Sequence, residues 1–543
     1  MIISYLKDLA KSHTSLIFLI PFVFVLIFMG LNNSALQVDE GADTFVSSTI
    51  LKYGAPYHND GLNSTMEYAS IHDKGLFLYR TWLPYYLQAG SLLIFGKTTF
   101  AARLPFAFVG VMAAIALYFF TLKLTKKKSV AFLATLLLVT SVPALIYFRT
   151  ARYIGLPILF TILLLYSYIT IYDKKSWNPW PLIITSILYF HTMYVAFVGI
   201  TLGIFTHFYI NRKLTTPEND KQVVKAAIIT SLFTLPWLWF IFPVFEKIPE
   251  FYLSASNQID TTNWRFIKNF AGYLFQLNNY IFPFIFLPFL LMRSLHSFRN
   301  EIQLCLCCIL GLIVVSLMHT IPLQQYIAGS FPLWYILLAL ILMEGFSSQL
   351  VIRSILTATL IFTNIINVGP FLSIKEALKA NPDWFDKGIY ANNIYKSLVR
   401  EIKIKSVFYN HLLEISNPYQ GPLDKVITFF ETNGKPGDSC YIDNEHESLV
   451  FYTGMKGIAR DAIKAQDRPN WIVLRGDYRD AITGDSSSKI AQNLRAILNN
   501  NHYSKITLNA PPIRVNNTYD IQIHLFHSPS SVDKIILYKL AEH

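Results

Sequence analysis

Between residues 15 and 370 the chain returns again and again to apolar runs long enough, as helices, to cross roughly 30 Å of hydrocarbon. They lie at about 15–31, 102–122, 129–147, 154–172, 180–198, 193–210, 226–245, 271–291, 302–319, 327–345 and 352–370. The fifth and sixth partly merge, so His191, Thr192 and Tyr194 must form a tight turn between them. Lipid offers backbone groups no hydrogen bonds, so such segments have to satisfy their own as helices. The pattern predicts a polytopic α-helical membrane protein of about eleven spans. Composition agrees: 53% of residues are hydrophobic, 15% are charged, and the mean hydropathy is +0.38. The net charge of +12 does not point to nucleic acid. Its lysines and arginines fall in short clusters between the apolar runs: Lys123 with Lys126–Lys128, Lys174–Lys175, Arg212–Lys213 with Lys221 and Lys225, and Arg293 with Arg299. With a cytoplasmic N-terminus, an eleven-span count puts all of these inside, as basic loops prefer. The long loop 32–101, the Arg149–Tyr153 turn, the His191 turn and the loops 246–270 and 319–326 then face outside, as does everything after residue 370.

The first apolar run has the basic flank of a signal peptide (Lys7, Lys11) but no clear small-x-small cleavage site, so we expect it to stay as a helix. In the first outer loop, 42–52 reads as an amphipathic helix on the membrane surface, ended by Gly54 and Pro56. A second apolar segment, 82–95, is too short and too broken by Pro84 and Gly90 to span. Residues 1–370 thus form a membrane domain, and 371–543 a separate extracytoplasmic one. In the latter, 423–433 and 488–499 read as helices, and 440–442, 471–475, 506–508 and 535–540 as strands, which makes a small α/β domain. The four cysteines have neither disulfide nor zinc spacing, and three of them lie in one apolar run.

The adjacent carboxylates Asp39 and Glu40 stand where the first run leaves the membrane. A charge held at a bilayer is expensive, and one retained there invites a functional reading, with a solvated helix end as the plain alternative. The expected topology gathers on the same face Asp43, Arg80, Arg103, Arg149, Arg152, Tyr153, His191, Gln325 and Tyr326. Guanidinium groups can grip a lipid-linked phosphate with paired, charge-assisted hydrogen bonds, while a carboxylate can deprotonate an incoming hydroxyl.

These residues sit in recognisable strings. VDEGADTFVSSTILKYGAPY (38–57) and FLYRTWLPYYLQAGSLLIFGKTTFAARLPFAFVG (77–110) resemble the N-terminal region of the GT-C glycosyltransferases, in the branch of the protein O-mannosyltransferases and the lipid A aminoarabinose transferase. FRTARY (148–153) is similar to that family's Arg-x-x-Arg motif, with its tyrosine one place early, and HTMYVAF (191–197) to its His turn. QQYIAGSFPLWYILLA (324–339) resembles its Arg-Tyr…Pro segment with Gln325 where arginine is usual; stretches such as KPGDSCYID and NWIVLR resemble the outer domain of many bacterial members.

The resemblance implies an inverting sugar transfer from a polyprenyl-phosphate donor to a glycan, lipid or protein hydroxyl outside the cytoplasm, in the inner membrane of a bacterium. Asp39 would be the base, with Glu40 as helper, and Arg80, Arg149, Arg152, Tyr153, His191, Gln325 and Tyr326 would meet the donor's phosphate or sugar. Arg103 would lock the second helix to the first loop. No cofactor is required, and a divalent metal is not expected, because arginines can carry the leaving group's charge. The competing readings are a flippase for lipid-linked sugars, which would show repeated halves and broken helices near mid-bilayer, and a non-catalytic cell-envelope assembly factor.

Overall fold

The computed structural model describes residues 14–65, 75–78, 80–173, 177–255, 264–372, 403–458, 462–475, 488–510, 517–527 and 533–541. The expected domain boundary near 371 borders a segment outside these residues. Among the described residues five helices are long and apolar enough to cross a membrane: Thr99–Thr125, Tyr153–Tyr172, Pro217–Pro243, Arg293–Ser316 and Gln324–Gly345. Two bent pairs raise the number to seven: Lys128–Thr140 with Val142–Arg149, bent by 64°, and Arg265–Tyr280 with Phe284–Leu291, bent by 88°. Thr14–Phe28, Trp180–Phe190, Tyr194–Ile210 and Leu350–Phe362 are shorter apolar helices. The His191 turn is present, between helices that end at Phe190 and begin at Tyr194.

Small residues let the helices close up. A Cβ on Gly203 would lie 2.3 Å from Cys308 Cα, and one on Gly311 2.4 Å from the Gly199 carbonyl, so Tyr194–Ile210 and Arg299–Ser316 pack backbone to backbone. The cysteines of that run serve packing: Cys305 and Cys308 are buried and unpaired in any disulfide. At one end of the bundle lie basic-loop residues: Lys127 pairs with Glu344 (2.5 Å) and its ammonium sits 5.2 Å from the Phe298 ring.

The other end carries the first loop. Helix Val38–Tyr53 starts at Gln37, whose side-chain oxygen accepts from Asp39 N while Glu40 accepts from Gln37 N (3.0 and 3.1 Å). It stops at Gly54, in the left-handed region at φ 77°. This helix corrects the surface-lying reading of 42–52: its residues from Glu40 to Ser47 are all buried. It is pinned to helix Leu83–Phe95 by Ser47 Oγ donating to Gln88 Oε1 (2.6 Å) and Gln88 Nε2 donating to Thr44 Oγ1 (2.8 Å). Its other side meets helix His446–Thr453, so closely that a Cβ on Gly41 would lie 2.0 Å from Ser448 Oγ. An amphipathic pattern suggests a surface element, whereas polar pins and a glycine contact bury it. Helix Leu83–Phe95 does leave Leu93, Ile94 and Phe95 exposed, as an interfacial helix should.

The C-terminal part is the expected α/β domain. Strands β1 (Ser439–Ile442), β2 (Lys456–Ile458), β3 (Trp471–Leu474), β4 (Tyr503–Ala510) and β5 (Asp533–Leu540) form one sheet in the order β2-β1-β3-β5-β4. β1 runs parallel to β2 and β3, and β5 antiparallel to β3 and β4. Sequence reading missed β2 and helices Val407–Ser416 and His446–Thr453; these tie the domain to the first loop. Gly457 N donates to Asn63 (2.8 Å), His446 Nε2 lies 3.0 Å from the Ser64 carbonyl, and Asn33 Nδ2 donates to the Ile415 carbonyl (3.0 Å); Asp424, on the expected helix at 423–433, adds a bond from Ala35 N (2.8 Å).

Candidate active site

Asp39 and Asp43 are one helical turn apart on Val38–Tyr53 and so share a face. Arg152 bridges them: Nη1 donates to Asp39 Oδ2, and Nε donates to Asp43 Oδ2 (3.2 Å). Arg80 donates to Asp43 Oδ1, which also accepts from Tyr85 OH (3.1 Å). Two carboxylates and two guanidinium groups therefore form one balanced set. Asp43 is buried, while the Asp39 side chain keeps 22% exposure, the most open of the pair. The guanidinium of Arg152 also sits 5.4 Å from the Tyr153 ring centre and 4.7 Å from that of Tyr519, a flat, polarisable seat that suits arginine better than lysine. Burial would depress its pKa, but Asp39, Tyr519 and Asp43 more than offset this and hold it firmly protonated.

Tyr519, from the C-terminal part, donates its hydroxyl to Asp39 Oδ2 (2.7 Å). Burial, and then the Asp39 charge, keep that phenol protonated and thus a donor. Its turn is held by Glu414: His524 Nε2 lies 2.8 Å from Glu414 Oε1, and Asn517 Nδ2 donates to the same oxygen (3.1 Å). His411 Nδ1 meets the other oxygen at 3.2 Å.

Glu40 has different work. Arg103 donates to it twice, from Nε to Oε1 and from Nη2 to Oε2, both at 2.8 Å, and Ala151 N (2.7 Å) and Gln37 N (3.1 Å) complete its shell. Arg103 also donates to the Leu31 and Ser34 carbonyls (2.8 and 3.1 Å). Arg149 donates to the carbonyls of Leu26, Ile27, Met29 and Gly30, at 3.2, 2.8, 2.7 and 3.1 Å, and so caps the end of the first helix. Of the expected phosphate ligands, Arg80 and Arg152 meet the Asp39–Asp43 set; Arg149 is spent on main chain.

His191 accepts from Trp82 Nε1 at Nδ1 (2.8 Å) and packs among Trp82, Phe190 and Trp237. Burial pushes it down to about 4, so it is neutral at physiological pH and fastens the loop before helix Leu83–Phe95. Gln325 and Tyr326 belong to a separate group. Tyr326 stacks on His319 at 3.5 Å, and Gln325 is buried with no hydrogen-bond partner for Oε1; the neighbouring Gln324 Oε1 accepts from the Tyr147 hydroxyl at 3.5 Å. Among the described residues no three or more His, Cys, Asp or Glu side chains come together as a metal site. Sequence reading named Asp43 without a role, although its four-residue spacing from Asp39 was the signal for one. For Tyr519 no local signal existed.

No family model matches the chain, and no curated protein matches it. Among solved structures it is similar to ArnT from Cupriavidus metallidurans in the apo state, at 11% identity and a TM-score of 0.48 over 88% of this chain and 96% of that one. It is likewise similar to ArnT from the same organism bound to undecaprenyl phosphate, at 10% identity and 0.49, over 97% and 98%. The oligosaccharyltransferase AglB from Archaeoglobus fulgidus, in complex with an inhibitory peptide and a dolichol-phosphate, compares at 11% and 0.43, over 86% and 69%.

Proposed function

We propose that this chain is an inverting membrane glycosyltransferase that moves a sugar from a polyprenyl-phosphate donor to an acceptor hydroxyl, with Asp39 as base. The observation that carries the reading is the Asp39–Arg152–Asp43–Arg80 set where the chain leaves the first helix. Arg152 and Arg80 are the groups to take the donor's phosphate and the negative charge that grows on it as the glycosidic bond breaks. Phosphate oxygens compete with the carboxylates for those guanidinium groups, so donor binding draws Arg152 off Asp39 and frees a lone pair for the acceptor's proton. The acceptor oxygen then bonds to the anomeric carbon as the proton passes to Asp39 and the bonding pair leaves with the polyprenyl phosphate. One carboxylate suffices because the leaving group needs no acid, unlike in glycoside hydrolysis. Glu40 and Arg149 serve the scaffold, and no metal is needed.

We read the five long helices, two bent pairs and four shorter apolar helices as eleven crossings. The Lys127 end then faces the cytoplasm, and the Asp39 end and α/β domain face outside, in a bacterial inner membrane as the resemblance implies. Asp39→Asn tests the reading. Purified variant protein in lipid nanodiscs should retain undecaprenyl-phosphate binding while cells lose the envelope glycan product, seen by mass spectrometry against the wild type. A variant that still makes the product refutes Asp39 as the base.

A further inference from the structure

Beside the Asp39 set lies a second recess that the proposed chemistry does not use. A cleft of about 560 Å³, its open mouth included, runs between the loop from Gly30 to Gln37, helix Val407–Ser416 and the turn from Asn517 to His524. Its walls are firmly built. Gly30 takes φ 64°, and a Cβ there would strike the Ile415 carbonyl at 2.2 Å. The charged residues on its lining are engaged: Arg149 with main-chain carbonyls, Arg103 with Glu40, Glu414 with two histidines.

Three neutral groups are different. Gln37 Nε2, His411 Nε2 and Tyr419 OH are buried without any hydrogen-bond partner, and all three residues line this cleft. Their residues are 7%, 1% and 5% exposed. Buried polar atoms are almost always paired, so three idle ones around one hollow mark a place for something that pairs with them. Their chemistry says what. The Gln37 amide can only donate at this atom, and the Tyr419 hydroxyl can do either. His411 Nδ1 faces the Glu414 carboxylate and so carries the proton, which leaves Nε2 to accept. Neutral donors and acceptors mixed in this way suit hydroxyl groups, each of which gives one hydrogen bond and takes others. A phosphate would want unspent cations. Tyr519 also lines the cleft, with its hydroxyl resting on Asp39, so it stands between this hollow and the base.

We propose that this cleft is the acceptor subsite and that the acceptor is a neutral glycan or polyol, whose attacking hydroxyl takes the place of the Tyr519 hydroxyl on Asp39. The assignment rests on the transferase reading above. In the step it serves, the acceptor's O–H proton goes to Asp39 Oδ2, its oxygen bonds the anomeric carbon, and the polyprenyl phosphate departs with the electron pair.

The test uses full-length protein in lipid nanodiscs and saturation-transfer NMR with methyl α-glycosides of gluco, galacto and manno configuration, with N-acetylserinamide as the peptide control. Because Tyr419 OH has no protein partner, Tyr419→Phe removes nothing the fold uses, while Gln37→Glu keeps the capping oxygen and turns the idle donor into an acceptor. At least one glycoside should bind, weakened about fivefold by Tyr419→Phe, the share of one neutral hydrogen bond, and further when Gln37→Glu is added; the serine amide should not bind. No glycoside binding, binding unchanged in the double variant, or binding of the serine amide that the double variant abolishes each overturns the assignment. Undecaprenyl-phosphate binding in the same samples separates the two readings. If it persists in the double variant while the glycoside arm fails, the acceptor assignment alone falls; if wild-type protein does not bind it, the transferase reading falls and takes the acceptor assignment with it.

Discussion

The two adjacent carboxylates should fail in opposite ways when each loses its charge. Glu40 accepts four hydrogen bonds, two of them from Arg103, and the side chains of this pair are 2% and 8% exposed. Glu40→Gln turns one oxygen into an NH₂ that confronts the Arg103 Nη2 and Gln37 N donors, and it leaves the guanidinium buried without a counter-charge. Removing one member of a buried ion pair costs about 3–5 kcal/mol. Arg103 also holds the loop at Leu31 and Ser34, so the loss should loosen the segment that leads into Asp39. We expect Glu40→Gln to denature at clearly lower temperature, followed by fluorescence-detected size exclusion in detergent, with lost activity as a consequence. Asp39→Asn, at a half-open site, should keep the wild-type denaturation temperature and lose about 10²–10⁴ in turnover, the range for a general base. The double change Glu40→Gln with Arg103→Met should recover part of the lost stability, since it removes the stranded charge. A Glu40→Gln protein as stable as wild type, or an Asp39→Asn protein as unstable as Glu40→Gln, would refute this division of labour.

Arg152→Ala should weaken undecaprenyl-phosphate binding by at least tenfold, the worth of a hydrogen bond to a charged group, whereas Arg149→Ala should leave it unchanged and instead lower the denaturation temperature. Tyr519→Phe keeps the ring against Arg152 but frees Asp39 Oδ2, so kcat/KM toward the acceptor should rise up to about tenfold; a fall would refute competition for that oxygen. The Glu414–His524 contact gives a pH dependence. Burial alone would lower His524, but Glu414 more than offsets it, and the net value lies above the ordinary 6.5. Burial alone would raise Glu414, but His524 and His411 more than offset it, and the net value lies below the ordinary 4.5. The histidine's contribution is complete below about pH 6.5 and lost as pH climbs through its raised value; the glutamate's is complete above about 4.5 and lost as pH falls through its lowered one. Hydrogen exchange in residues 517–524 should therefore quicken as pH rises from 6 to 9 beyond the intrinsic rate, and His524→Ala should abolish that extra rise.

Much of the scaffold could be read from local pattern, because a membrane helix announces itself by length and apolarity alone. The His191 turn and four of the five strands followed the same logic. What escaped was set by contacts distant in sequence. Helix Val38–Tyr53 looked like a surface element because nothing near it in the chain reveals Gln88 or Ser448 against its sides. Arg149 and Arg152 occupy equivalent-looking places in one motif, yet only the bend before Val142–Arg149 and the turn after it decide which points to the first helix's carbonyls and which to Asp39. Glu40 and Asp39 differ likewise through Arg103, from another helix.

The contact between Asp39 and Tyr519 joins positions 480 apart. A ribosome delivers the first of them long before the second, so the growing polypeptide can insert its early helices with the pocket still unfinished. Fragments released early would sit in the bilayer without that wall, and the pocket closes only once Tyr519 has been made.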